Sequence, residues 1–133
     1  MPTQVDHFAF RVTELDRAIK FYQDILGLRL ISKTVDEDHH EAFAFLELEG
    51  GNLELLQLLD ENNQLIPSEN SEVKEPYCPH LALKCGNLDQ FVLELEDKKI
   101  EIVKGPLEIP GMVKWLYITD PDNNIIEFVE WIK

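Results

Sequence analysis

The sequence predicts an α+β protein built from two tandem βαβββ modules. Three observations carry this reading. A segment that begins at His7 starts again, without gaps, at His80. Within each copy the apolar period switches between the two-residue repeat of a strand and the longer repeat of a helix. Only one long stretch lacks any periodicity, and it lies between the copies.

In the first copy, Val5 to Val12 alternates, with Phe8, Phe10 and Val12 on one face and His7, Ala9 and Arg11 on the other. Thr13 is positioned to cap a helix whose apolar residues Leu15, Ile19, Phe21, Tyr22, Ile25 and Leu26 recur at helical spacing. Gly27 ends it as a left-handed cap. Leu28 to Val35 reads as the second strand, Asp36 to Glu41 as a hairpin connection, Ala42 to Leu48 as the third strand and Asn52 to Leu59 as the fourth. Gly50-Gly51 marks the turn before the last of these.

Asp60 to Pro76 holds Asn62, Asn63, Pro67, Ser68, Asn70, Ser71 and Pro76, the composition of a connection. The expected organisation is a single domain over 1–133, with module 1 at 3–60, a linker at 61–76 and module 2 at 77–133. In the second copy, Tyr77 to Cys85 reads as a strand with His80, Ala82 and Lys84 on one face. Leu88 to Lys98 reads as a helix, and Ile100 to Lys104 and Met112 to Thr119 as strands. Asp120 to Asn124 reads as a turn and Ile125 to Trp131 as the last strand.

The repeat is quantitative. His7-Phe8-Ala9-Phe10-Arg11-Val12 lies over His80-Leu81-Ala82-Leu83-Lys84-Cys85 at an offset of 80 − 7 = 73. The same offset carries Leu53-Glu54-Leu55-Leu56 onto Ile126-Glu127-Phe128-Val129. The distance from His to Glu is therefore 54 − 7 = 47 in one copy and 127 − 80 = 47 in the other. One His/Glu pair arises easily by chance; two at one spacing inside matched apolar frames do not.

Composition narrows the function classes. A charged fraction of 29% and an apolar fraction of 44% are ordinary for a globular chain. The net charge of −14 opposes binding to nucleic acid or to anionic membrane, and no basic cluster offsets it. No apolar run reaches the roughly 20 residues of a membrane helix, and Met1 to Phe10 lacks a secretory pattern, so the cytoplasm is the expected compartment. Cys78 and Cys85 are not spaced as a zinc knuckle or redox pair and read as buried, small apolar residues.

If the apolar neighbours on the first and fourth strands face the helix, His7, Glu54, His80 and Glu127 face the other way. Each module alone is small for burying both sheet faces, so two modules, within one chain or between chains, are expected to curve together around a cavity. Two imidazoles and two carboxylates are a mixed N/O donor set that suits Ni, Zn, Co, Fe or Mn better than Ca or Mg. The cluster Asp36-Glu37-Asp38-His39-His40-Glu41 falls at a hairpin tip and reads as solvated turn residues rather than ligands.

These motifs resemble the vicinal oxygen chelate superfamily, which includes glyoxalase I, methylmalonyl-CoA epimerase, ring-cleaving dioxygenases and the fosfomycin and bleomycin resistance proteins. The resemblance rests on the repeated His-x-Ala frame, on Leu15-Asp16-x-Ala18-x-x-Phe21-Tyr22 with Leu26-Gly27-Leu28, and on Asp120-Pro121-Asp122-x-Asn124-x-Ile126-Glu127. It implies paired βαβββ modules around one divalent transition-metal ion (Ni, Zn, Co or Mn), held by His7, Glu54, His80 and Glu127. This is the ligand set of glyoxalase I. In the resembling bacterial glyoxalases the protein is a homodimer in which each cavity joins the first module of one chain to the second of its partner.

The activity this implies is that of a glyoxalase I-like lyase or isomerase, in which a proton moves through a metal-stabilised ene-diolate of a small 2-oxo or 2-hydroxy compound, free or as a thiol adduct. Glu127, with Glu54 as its symmetric counterpart, would move the proton. Arg11 matches an arginine that glyoxalase I places near the glutathione carboxylate, and Lys84 occupies the corresponding inward position, so both are expected to anchor an anionic group. The match stops short of the other glutathione contacts: Leu58 stands where the family usually has Asn, and Pro76 to Pro79 contains no Arg. The wall beyond each Glu, Leu56 with Leu58 and Val129 with Trp131, is apolar, so a smaller or more apolar substrate than the glutathione adduct is expected. The alternatives are an epimerase of the methylmalonyl-CoA type and a non-enzymatic small-molecule binding or resistance protein.

Overall fold

The periodicities fold as expected into α+β modules of βαβββ order. The computed structural model of the protein describes residues 1–67 and 71–132. Two units are distinguished, Met1–Ser71 and Glu72–Lys133.

The first unit contains β1 (His7–Arg11), α1 (Leu15–Leu26), β2 (Leu30–Asp36), β3 (Glu41–Leu46) and β4 (Asn52–Leu58), with sheet order β1-β4-β3-β2. β1 runs parallel to β4 and the remaining pairs are antiparallel. On β3 and β4 every second residue (Ala42, Ala44, Leu46, Leu53 and Leu55) is buried, forming the side on which the helix packs. α1 answers with Leu15, Ala18, Ile19 and Tyr22, spaced to fall on one stripe. Each fully buried Leu contributes about 1.5–3 kcal/mol. Gly27 closes α1 at φ 66°, where its N–H meets the Gln23 carbonyl at 3.0 Å.

The start of α1 departs from expectation. Its N-cap residue is Glu14, not Thr13, and Glu14 makes no side-chain cap bond. The Leu15 N–H donates instead to Gln57 Oε1 on β4, at 2.8 Å. A cap supplied from 42 residues away leaves no local signature. The connection after β4 begins with a turn: Asp60 Oδ1 accepts from the N–H groups of Asn62 and Gln64, and Leu59 bridges to Leu65. Ser68 and Asn70, assigned to the linker, lie outside the described residues.

The second unit repeats the plan with β5 (Leu81–Lys84), α2 (Leu88–Asp97), β6 (Lys104–Ile109), β7 (Val113–Thr119) and β8 (Ile125–Trp131), in sheet order β5-β8-β7-β6. Leu116, Ile118, Ile126 and Phe128 are buried on the helix side, where Phe128 meets Phe91 of α2 at a centroid distance of 4.4 Å. Asn87 caps α2 through its side chain, which accepts from the Gln90 N–H at 3.0 Å. The Asp120 turn forms as read: buried Asp120 accepts from the N–H groups of Asp122 and Asn124, each at 2.9 Å.

Two strands and the cysteines correct the sequence reading. The strand expected from Tyr77 begins only at Leu81, because Pro76 and Pro79 bring no N–H and Tyr77 turns the chain at φ 62°. The strand expected at Ile100 to Lys104 instead runs over Lys104–Ile109. Ile100 still bonds back to the helix, its N–H meeting the Leu95 carbonyl at 2.9 Å. β6 is an edge strand, which tolerates Pro106. Gly105 is required there: at φ 105° a Cβ would lie 2.9 Å from the Trp115 carbonyl oxygen. Cys78 is exposed and Cys85 only half-buried, both as free thiols, since Cys78 precedes the shortened ladder. Among the described residues, no helix is long and apolar enough to cross a membrane.

Candidate functional site

Register places each His beside its Glu. In the parallel pair β1–β4, Ala9 stands opposite Glu54 and His7 opposite Asn52, so His7 and Glu54 are diagonal neighbours. In β5–β8, Ala82 stands opposite Glu127, and His80, one residue before the strand, takes the same diagonal. Because Leu53, Leu55, Ile126 and Phe128 face the helices, both glutamates project from the other side of their sheets. His7 Nε2 is 3.4 Å from Glu54 Oε1, and His80 Nε2 is 2.9 Å from Glu127 Oε1.

Each ring is oriented through its other nitrogen. His7 Nδ1 is 2.6 Å from Asp6 Oδ2, and His80 Nδ1 is 2.7 Å from the Tyr77 carbonyl oxygen. Both partners are acceptors, as are the carboxylates facing Nε2, so a neutral ring has one proton for two acceptors; with that proton on Nδ1, the Nε2 lone pair faces the carboxylate. Two electron-pair donors at that distance require a cation or a proton between them. The donor set therefore fits a divalent transition metal. The structure shows two pairs, His7 with Glu54 and His80 with Glu127, and among the described residues no cluster of three or more such groups. The hydrogen bond to Asp6 raises the His7 pKa, with the charges of Glu54 and Asp6 adding to it against the effect of burial.

An aromatic ring floors each pair. Phe45, opposite Glu54 on β3, meets the His7 ring edge-on at 5.4 Å. Tyr117, opposite Glu127 on β7, meets the His80 ring at 5.6 Å. Burial, then the charge of Glu127, lifts the Tyr117 phenol above its usual range, opposed by a hydrogen bond with the Trp115 side chain. Sequence reading missed these aromatics, although the alternation Ala42-Phe43-Ala44-Phe45 put both Phe rings on the face away from the helix. It also missed Lys104, which lines a cavity with Tyr77, Trp115 and Tyr117. Its misplacement in a strand ending at Lys104 concealed that residue.

Arg11 and Lys84 are exposed and lie opposite Leu56 and Val129, one strand repeat beyond the glutamates and on the same faces. At the hairpin tip, His39 pairs with Asp36 at 2.8 Å and His40 Nδ1 with Asn63 Oδ1 at 2.8 Å.

Comparison with known proteins decides the family. Residues 4–128 match the model of the glyoxalase/bleomycin resistance protein/dioxygenase superfamily. The chain belongs to this superfamily. Within the superfamily it is 46% identical over 129 residues to a lactoylglutathione lyase of Haemophilus influenzae, covering 96% of this chain and 92% of that one. It is 27% identical to a lactoylglutathione lyase of Schizosaccharomyces pombe over 95% of its own length, and spans 47% of that longer protein. A crystal structure of a glyoxalase family protein from Enterococcus faecalis superposes with a TM-score of 0.75 at 19% identity, covering 97% and 98% of the two chains, and so shares the fold.

Proposed function

We propose that the protein is a metal-dependent, glyoxalase I-like lyase or isomerase that moves a proton between adjacent carbons of a small 2-oxo/2-hydroxy compound, carried free or as a thiol adduct. The observation that carries this is the duplicated diagonal pair, His7 with Glu54 and His80 with Glu127, each His turned by an Nδ1 acceptor so that Nε2 faces the carboxylate. The lactoylglutathione lyase name of a relative at 46% identity supports the reaction class.

His7, Glu54, His80 and Glu127 would hold one divalent ion, Ni, Zn, Co or Mn. When bound, such an ion supplies Lewis acidity toward two neighbouring substrate oxygens. Glu127 would take the proton from the hydroxyl-bearing carbon and return it to the adjacent carbon that was the carbonyl. Glu54, in the matching position, is the second carboxylate able to do so. Asp6 and the Tyr77 carbonyl keep the imidazoles in register during this transfer. The rings of Phe45 and Tyr117, edge-on to His7 and His80, would limit the access of water to the two pairs. Arg11 and Lys84 would anchor an anionic group of the substrate.

The site would be completed in a homodimer in which the first module of one chain meets the second of another, as in the resembling bacterial glyoxalases. The test is elemental analysis of the purified protein, with activity on a methylglyoxal–thiol adduct measured across added Ni, Zn, Co and Mn. Turnover dependent on a stoichiometric metal is expected. Binding of the metal without proton exchange at the substrate carbon would point to a binding protein, and exchange with inversion to an epimerase.

A further inference from the structure

An open, shallow cavity of about 280 Å³ on the surface of the second unit has Glu75, Tyr77, Lys104, Leu107, Trp115 and Tyr117 among its lining residues. Its walls are mostly apolar: Tyr77 lies against Tyr117 with centroids 4.8 Å apart and ring planes 36° from parallel. Tyr117 also touches the His80 ring and stands opposite Glu127, so this wall is shared with the His80–Glu127 pair. The cation of this lining, Lys104, sits with its Nζ 3.2 Å from Glu75 Oε1.

We infer that Glu75 is a specificity-determining residue: by pairing with Lys104 it keeps the cavity beside Glu127 neutral, so that an uncharged, planar, ring-sized substituent is accepted there and a carboxylate is not. The inference rests on the proposed reaction only in naming the occupant as a substituent of the substrate. The volume suits one ring, below the range of drug-sized ligands. Flat aromatic walls offer stacking and edge contacts to a neutral ring. An incoming carboxylate must share Lys104 with Glu75 and meets the Glu75 charge directly. The Lys104 and Glu75 side chains are 44% and 68% exposed, so the pair adds little to folding. Its charge still acts on whatever enters between them.

The test follows the Trp115 indole N–H resonance of the full-length protein during titration with benzamide and with benzoate, which differ little except in charge. Trp131, which does not line the cavity, reports separately on ligand held at the wall beyond Glu127. Benzamide is expected to shift Trp115 at lower concentration than benzoate. Glu75→Gln should tighten benzoate about fivefold, the ceiling for a solvated charge pair, and leave benzamide unchanged. Adding Lys104→Gln should remove that gain. Equal binding of the two ligands to the native protein, an equal effect of Glu75→Gln on both, or no Trp115 shift with either would overturn the assignment. The readout needs neither metal nor turnover. A protein that shows this selectivity but no isomerisation would refute the reaction and leave the role of Glu75 standing.

Discussion

Gln57 and Glu130 stand 130 − 57 = 73 residues apart, and each aims its Oε1 at the first N–H of its own unit's helix: Leu15 at 2.8 Å and Leu88 at 2.7 Å. The duplication thus extends past the candidate ligands to the opposite face of the same strands. β4 and β8 carry Glu54 and Glu127 on one side and a helix-capping side chain three residues later on the other. One strand in each unit therefore positions both the helix and the acid. In the second unit the cap is a carboxylate, which the positive end of α2 favours further.

Gln57→Leu should destabilise the first unit by about 1–3 kcal/mol, because it leaves the N–H of buried Leu15 without an acceptor. Glu130→Gln keeps an oxygen at Leu88 and should cost less than about 1 kcal/mol. Urea denaturation followed by circular dichroism measures both. A loss for Gln57→Leu no larger than that for Glu130→Gln would show that the long-range cap is dispensable.

His7→Ala and His80→Ala should each lower metal occupancy while leaving the sheets folded, since both side chains lie away from the helix-packed cores. Metal content per chain and far-ultraviolet circular dichroism are the paired measurements. Full metal content in either variant would remove that His from the ligand set.

Mixing inactive His7→Ala chains with inactive His80→Ala chains should restore part of the activity if each site draws one module from each of two subunits. In a two-fold mixed dimer, one of the two sites would regain both histidines. No recovery in isolated heterodimers would place the complete site within a single chain.

The glutathione hemithioacetal of methylglyoxal should be a poor substrate beside a smaller or more apolar 2-oxo compound. Leu56, Leu58, Val129 and Trp131 line the faces beyond the glutamates, where unpaired carboxylates are costly to bury. Steady-state kinetics decides: a kcat/KM of about 10⁴ M⁻¹s⁻¹ or more on that adduct would restore ordinary glyoxalase I specificity.

At the β2–β3 hairpin, the hydrogen bond from His39 holds the Asp36 carboxyl below the usual carboxylate range, burial opposing it. A depressed folded-state pKa contributes stability above the unfolded-state value and loses it as pH falls through the folded one. His39→Ala should raise the Asp36 midpoint, read by carboxyl-carbon resonance during acid titration. An unmoved midpoint would assign the depression to the backbone N–H groups instead.

Burial of Ala18 in place of Phe21, Ile25 and Leu26 came from the structure. The sequence by itself determined the duplicated module, the helical spacing of Leu15, Ile19 and Tyr22, the Gly27 stop and the 47-residue spacing of each His from its Glu. These are local or periodic properties, written in residues a fixed number of positions apart. Tertiary structure decided what depends on register between distant segments. The Gln57 and Glu130 caps, the Tyr77 carbonyl that orients His80, the ring of Tyr117 beneath it and the Lys104–Glu75 pair join residues that no periodic pattern links. The shortened β5 and shifted β6 belong with them. Proline and glycine mark where a chain can leave or bend a ladder, but only the neighbouring strands β8 and β7 fix where pairing begins.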